Sequence, residues 1–176
     1  EALKHNKHVY VEKPFGLSVL EAEPVLELAK SKGLKVGCAP DTFLGTGIQS
    51  SKYLIEQDEI GDVFAASAFW SAPGHELWHP NPQFYYLDGA GPLFDMGPYY
   101  LTALVFLLGP VKSVIGNATK SNRMRKIHTG PNAEQEISVE VDTHISAILT
   151  HESGAQSTIM VSFEVWGSKL PTIEVY

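Results

Sequence analysis

Lys13 lies between Glu12 and Pro14, at the end of the β-rich run His8 to Glu12 (HVYVE). Pro14 has no N–H and cannot continue a central strand, so the lysine stands where the strand stops. Open α/β sheets bind ligands beyond the carboxyl ends of their strands, and a lysine there can point into that crevice. Lysine suits acid–base chemistry because burial or a neighbouring positive charge lowers its pKa. The plain alternative is a solvated lysine after a strand. A second group is Asp95-Met96-Gly97-Pro98-Tyr99. The spacing predicts that it opens a helix over about Phe94 to Leu108, with Asp95 and Tyr99 four apart on one face. Asp95 can also be a first-turn carboxylate that complements the helix dipole. Tyr99 can also be a core residue with its hydroxyl satisfied. Gly89-Ala90-Gly91-Pro92, just before, lets the backbone approach a ligand closely, or merely turns the chain.

The elements that must position these groups fall into two kinds. Residues Glu1 to Lys7 read as the last turns of a helix, followed by the strand His8 to Glu12. Ser18 with Glu21 three residues on forms a capping box. The helix it opens runs from about Val19 to Ser31 and stops at Gly33. Leu34 to Cys38 is a second short strand, and strand, helix, strand at this spacing predicts one βαβ unit with parallel pairing. After Pro40 the character changes, with glycine, proline and aromatic residues dense from Thr42 to Gly91. Ser50 to Gln57 reads as a helix, and Asp62 to Trp70 and Val111 to Ala118 read as strands. From Glu136 to Thr150 apolar and polar residues alternate with period two, which predicts one long strand with a buried face. Glu152-Ser153-Gly154 supplies a turn, and Ile159, Val161, Phe163 and Val165 repeat the alternation, completing an antiparallel hairpin. The fold class is therefore α+β: the end of a Rossmann-type α/β domain over residues 1–40, then a mostly antiparallel open sheet with helices on one face over residues 41–176.

The chain has 176 residues, 44% of them hydrophobic and 19% charged, a globular composition. Its formal net charge of −7 argues against nucleic acid and against an anionic membrane surface, since both need basic patches. The longest apolar stretch, Tyr99 to Leu108, is shorter than the roughly 20 residues of a membrane span. The one cysteine, Cys38, allows no intrachain disulfide and fits a reducing, cytoplasmic compartment. A chain that starts at Glu1 and stops in a β-rich run reads as cut at both ends.

Taken together, HVYVEKPFGLSVLEA, VGCAPDTFLG, EIGDV, HPNPQFYY and GAGPLFDMGPYYLTALVFLLGPV resemble the Gfo/Idh/MocA oxidoreductases, which include glucose–fructose oxidoreductase and inositol dehydrogenase. The resemblance covers nearly the whole chain and keeps the order and spacing of the segments. It implies hydride transfer between NAD or NADP and a sugar, polyol or related alcohol. It implies that Glu12, Lys13 and Pro14 border the cofactor, and that Lys13, Asp95 and Tyr99 are the catalytic residues, with Asp95 and Tyr99 also touching substrate. Many members carry histidine where this chain has Tyr99. The glucose–fructose oxidoreductase branch carries tyrosine, so a Tyr–Lys pair replaces a histidine relay here. The alternative on the same fold is a non-catalytic ligand-binding or regulatory protein, against which the retention of Lys13, Asp95 and Tyr99 argues. The family's Gly-rich phosphate loop is not among these residues, since neither Gly45-Thr46-Gly47 nor Gly89-Ala90-Gly91 continues to a third glycine. The 176 residues alone are therefore expected to bind NAD(P) weakly or not at all and to have no dehydrogenase activity. Low-micromolar binding by titration calorimetry would contradict this.

One motif competes. His75-Glu76-Leu77-Trp78-His79 matches HExxH, which needs both histidines on one helix face to hold zinc. Pro73 and Gly74 before it and Pro80 and Pro82 after it disfavour that helix, so no metal is expected. The segment reads instead as a loop at the substrate mouth, where Trp78 and His79 stack on or hydrogen-bond a sugar-like ligand. Arg123, Arg125 and Lys126 read as a solvated basic loop. The strand Glu136 to Thr150 leaves Glu136, Ser138, Glu140, Asp142, His144 and Ser146 on a second face, to which neighbouring strands add Met160 and Trp166. Such a face suits a two-fold contact between copies of the chain, which the resemblance also implies.

Overall fold

In the computed structural model, which describes residues 1–121 and 123–176, the chain forms two units, Glu1–Asp41 and Thr42–Tyr176. The first unit holds a short 3₁₀ turn (Ala2–His5), β1 (Val9–Val11), α1 (Val19–Ser31) and β2 (Val36–Cys38). Ser18 is extended, and its Oγ accepts the Glu21 amide at 3.3 Å. The Glu21 carboxylate reaches back to the Leu17 amide at 3.0 Å, one residue earlier than in the usual box. At the far end Gly33 has φ +64, Leu34 N–H bonds Ala29 C=O, and Gly33 N–H bonds Lys30 C=O. These two bonds close α1 with a Schellman motif. β1 and β2 pair in parallel, with Tyr10 opposite Gly37. A Cβ at Gly37 would lie 2.8 Å from the Tyr10 ring, so a larger residue there would displace that ring.

The second unit contains α2 (Thr46–Glu56), β3 (Ala65–Ser71), α3 (Gly91–Asp95), α4 (Gly97–Leu108), β4 (Val111–Thr119), β5 (Arg125–Lys126), β6 (Glu136–Ile137), β7 (His144–His151), β8 (Gln156–Ser162) and β9 (Ile173–Val175). Five strands form an open sheet in the order β4-β7-β8-β3-β9. All its pairings are antiparallel except β3 with β8. Leu104, Leu107 and Leu108 of α4 pack on Ala66, Ala68, Leu149, Ile159 and Val161 of the sheet, with Ile48 and Ile55 of α2 beside them. The alanines of β3 leave room for the leucine-rich helix, and burying each leucine contributes about 1.5–3 kcal/mol. A second cluster joins Tyr86, Ile127, Ile137 and Phe163. Among the described residues no helix is long and apolar enough to cross a membrane.

Three expectations change. The helix over Phe94 to Leu108 is two helices, so Asp95 ends α3 rather than opening a longer helix, and the dipole reading of Asp95 falls. Pro98 cannot donate to the carbonyl four residues back, and α4 restarts with Pro98 in its first turn, where a proline is tolerated. The strand over Glu136 to Thr150 is broken between Ile137 and His144. There Glu140 N–H turns to Tyr86 C=O, outside the sheet, and pairing with β4 begins only where Thr143 N–H bonds Thr119 C=O. Ile137 serves the second cluster instead, although more and less buried residues still alternate from Ile137 to Thr143. Trp166 lies beyond the end of β8, so it is not on the open sheet face, and the same break removes Glu136 to Asp142 from that face.

Candidate functional site

A buried ionic frame holds the segment that carries the HELWH motif. Arg125 Nη1 donates to Glu76 Oε1 at 2.7 Å and to Tyr86 Oη at 3.0 Å, and its Nη2 pairs with Glu164. Tyr86 Oη in turn donates to the Glu76 carboxylate, and Arg123 Nη2 reaches Pro73 C=O at 2.7 Å and Glu76 at 3.3 Å. Arg125 and Glu76 are only 2% and 3% exposed. The basic cluster is therefore a solvated loop only at Lys126, which is exposed: Arg123 is partly buried, and Arg125 sits inside because two carboxylates offset the cost of burying its charge. Burial, reinforced by the bond to Glu76, raises the Tyr86 pKa and keeps its hydroxyl a donor. Gly74, at φ +118, passes so close that a Cβ would collide with the Glu76 carboxylate.

This frame leaves the HExxH pattern as a single 3₁₀ turn, His75–Leu77, with Glu76 committed to Arg125. The His75 ring, 6% exposed, stacks on Tyr85 with centroids 3.8 Å apart. Phe163 meets it edge-on at 4.6 Å, and Trp78 lies 5.3 Å away. His79 stands edge-on to Trp78, Phe84 and Tyr85. Trp78 and Phe84 remain more than half exposed, so the cluster presents aromatic surface to solvent. Loop prolines and glycines supply the turns that bring these rings together.

Asp95 adjoins this cluster. Its Oδ2 is 3.5 Å from His75 Nε2. Burial and the Asp95 charge together raise the Tyr85 pKa, which keeps that phenol neutral beside the carboxylate. Tyr99, in the first turn of α4, lines a cavity of about 350 Å³ with Thr42, Phe43, Ile48, Met96 and Tyr100. In the first unit, the Lys13 amide donates to Glu12 Oε1 at 3.0 Å, and the Lys13–Pro14 peptide is cis. Cys38, at the end of the neighbouring strand, has a pKa raised by burial and then by the Glu12 charge.

Of the residues singled out by sequence, Asp95, Trp78 and His79 gather around one aromatic loop, Tyr99 lines the neighbouring cavity, and Glu12, Lys13 and Pro14 stand at the end of β1 in the first unit. Sequence reasoning passed over His75 and Tyr85 as partners of Asp95. The one signal for His75 was the HExxH match, which pointed to metal. Nothing in the order of residues pairs Glu76 with Arg125, 49 positions away.

Residues 1–39 match the model of the oxidoreductase family with an NAD-binding Rossmann fold, and residues 48–176 match the GFO/IDH/MocA C-terminal domain. A dTDP-3,4-didehydro-2,6-dideoxy-alpha-D-glucose 3-reductase from Streptomyces antibioticus is 30% identical over 72% of this chain and 38% of its own length. A D-xylose dehydrogenase from Paenarthrobacter nicotinovorans is 25% identical over 65% of this chain and 31% of its own length. The crystal structure of an NAD binding oxidoreductase from Klebsiella pneumoniae superposes with TM-score 0.81 and 26% identity, covering 99% of this chain and 46% of that one. The chain thus spans less than half the length of the proteins it matches.

Proposed function

This chain belongs to the GFO/IDH/MocA oxidoreductase family, and from that premise we propose that the full-length protein transfers a hydride between NAD(P) and a sugar, polyol or related alcohol. Residues 1–40 are then the end of the dinucleotide-binding domain, and residues 41–176 are most of the substrate-binding and oligomerisation domain. The observation that carries the sugar reading is a half-buried carboxylate, Asp95, beside a loop of partly exposed aromatic rings. Rings offer a flat apolar surface for the C–H face of a sugar, and a carboxylate accepts hydrogen bonds from its hydroxyls. That two relatives are named for reactions on sugars supports the same substrate class.

The fit of a dinucleotide rests on the β1–β2 parallel pair, whose chain turns out at Glu12-Lys13-Pro14 at the carboxyl end of β1, where such sheets bind ligands. Bound NAD(P) supplies the hydride acceptor in the oxidation direction. Lys13 and Tyr99 would serve as the acid–base pair for the one hydroxyl proton released as the C–H bond breaks, Asp95 would orient the substrate, and Trp78 and His79 would hold its ring. The test is turnover of NAD and NADP by the full-length protein with a panel of aldoses and polyols, followed by nicotinamide absorbance. Saturable turnover is the expected result. Tight binding of cofactor and sugar with no turnover would instead make this a binding protein.

We also propose that copies associate through the open sheet face and that the protein works in the cytoplasm, which the single Cys38 fits. Ile115 and Ile148 face each other across β4 and β7 on the side opposite buried Leu149, at 78% and 49% exposed. Around them lie Asn117, His144 and Ser146, a mixed polar surface of the kind found at contacts between copies. Light scattering at micromolar concentration is expected to show a dimer or larger, and Ile115→Glu to shift it toward monomer. A monomer before mutation would remove the idea.

A further inference from the structure

We infer that His75 is a positioning residue for Asp95: its imidazole, clamped among aromatic rings, donates Nε2–H to Asp95 Oδ2 and sets the direction of that carboxylate. The inference rests on the reading of Asp95 as a substrate-facing group. Three observations support it. First, the ring is held on several sides, by Tyr85 stacked at 3.8 Å, Phe163 edge-on at 4.6 Å and Trp78 at 5.3 Å. Its backbone is held too: His75 N–H donates to Tyr86 Oη at 3.0 Å, and His75 C=O accepts from His79 N–H at 2.8 Å. The Arg125–Glu76–Tyr86 frame thereby anchors the backbone from which the imidazole projects.

Second, Nδ1 is buried and has no hydrogen-bond partner among the described residues. A buried N–H without an acceptor is a rarer and costlier arrangement than a buried lone pair without a donor. The proton therefore belongs on Nε2, the nitrogen that faces Asp95. Third, the ring stays neutral. Burial lowers its pKa below 6.5 and outweighs the opposing charges of Asp95 and Glu76, while His79 and Arg125 lower it further. A neutral donor orients the carboxylate without cancelling its charge. The separation of 3.5 Å is at the long end for a hydrogen bond, as is common for site contacts without bound substrate.

This differs from a packing role, which an aromatic ring of any kind would satisfy. The test uses the full-length protein and two independent readouts. In wild type, ¹⁵N-edited NMR of the imidazole nitrogens should show the neutral Nε2–H tautomer of His75, taking up its second proton at lower pH than an ordinary histidine, with a shift change in Asp95→Asn. Observation of the Nδ1–H tautomer, or indifference to Asp95→Asn, would overturn the inference without touching the proposed reaction. In kinetics, His75→Phe keeps the ring and removes the donor. It should lower kcat about 10- to 100-fold, the usual effect of removing a group that orients a site residue, with a much smaller change in KM. His75→Gln restores an N–H near Nε2 and should recover most of the loss. A His75→Phe protein of native circular dichroism and wild-type kcat would also overturn it. If Asp95→Asn turns over normally, the substrate-facing reading of Asp95 fails, while the tautomer measurement still decides the His75–Asp95 bond.

Discussion

Alanine at Lys13 is expected to lower kcat of the full-length protein by roughly 10²–10⁴-fold, the range for loss of a general acid–base group. The lysine stands where β1 gives way to the cis Lys13–Pro14 peptide, at the carboxyl end of a parallel strand. A group that moves the proton only as the C–H bond breaks contributes to the transition state and little to the ground state. Substrate KM should therefore change far less than kcat. Tyr99→Phe should be similarly slow, since it removes the only ionisable atom of that side chain and keeps the ring in its cavity. Tyr99→His should recover part of the rate with a shifted pH optimum, because imidazole titrates several units below phenol. Steady-state rates of the three variants across pH measure this. Lys13→Ala turning over at the wild-type rate on a panel of polyols and sugars would remove Lys13 from the mechanism.

Arg125→Ala is expected to destabilise the fold by about 3–5 kcal/mol, the usual cost of removing one partner from a buried ion pair. The guanidinium is nearly inaccessible and holds Glu76 at 2.7 Å, Glu164, and Tyr86 at 3.0 Å. Its loss leaves Glu76 inside with Arg123 and Tyr86, among the described residues, to offset its charge, and it vacates the space over the Tyr86 ring, 4.6 Å from the guanidinium carbon. Arg125→Lys should recover only part of the stability, because an ammonium cannot bridge two carboxylates as a planar fork does. Calorimetric melting reads the result, and a shift in Tm on the order of 10 °C is expected for a unit of this size. A Tm within a degree or two of wild type would mean the frame is not a stabilising core. Because the same frame holds the backbone of His75, the variant should also lose turnover, through displacement of the loop rather than loss of a reacting group.

Local chemistry made much of this chain legible. Ser18, Glu21 and Gly33 mark α1 because capping and left-handed termination involve residues a few positions apart. The period of two around Ile145 to Leu149 and the turn at Glu152 to Gly154 mark the β7–β8 hairpin for the same reason. Gly97-Pro98 held a break that the long apolar run through Leu108 concealed: the hydrophobic pattern continues across it, while the backbone hydrogen bonds do not. The alternation from Glu136 was likewise correct in its faces and wrong as one strand, because Ile137 finds its core with Tyr86, Ile127 and Phe163 rather than in the sheet.

The order of residues alone determined the family resemblance, the parallel βαβ start and the mostly antiparallel sheet that follows, and through the resemblance it pointed to Lys13, Asp95 and Tyr99 as the groups proposed to do chemistry. Only the tertiary structure decided what surrounds Asp95. His75 is 20 positions from it in sequence and 3.5 Å from it in space. Arg125 looked like a surface charge because it is basic and stands with Arg123 and Lys126. Whether a charge is solvated or buried depends on what opposes it, and here that is Glu76 and Glu164, 49 and 39 residues away. Patterns of period two or 3.6 report which face of an element is apolar. They carry no record of which distant carboxylate will meet which guanidinium once those faces have packed.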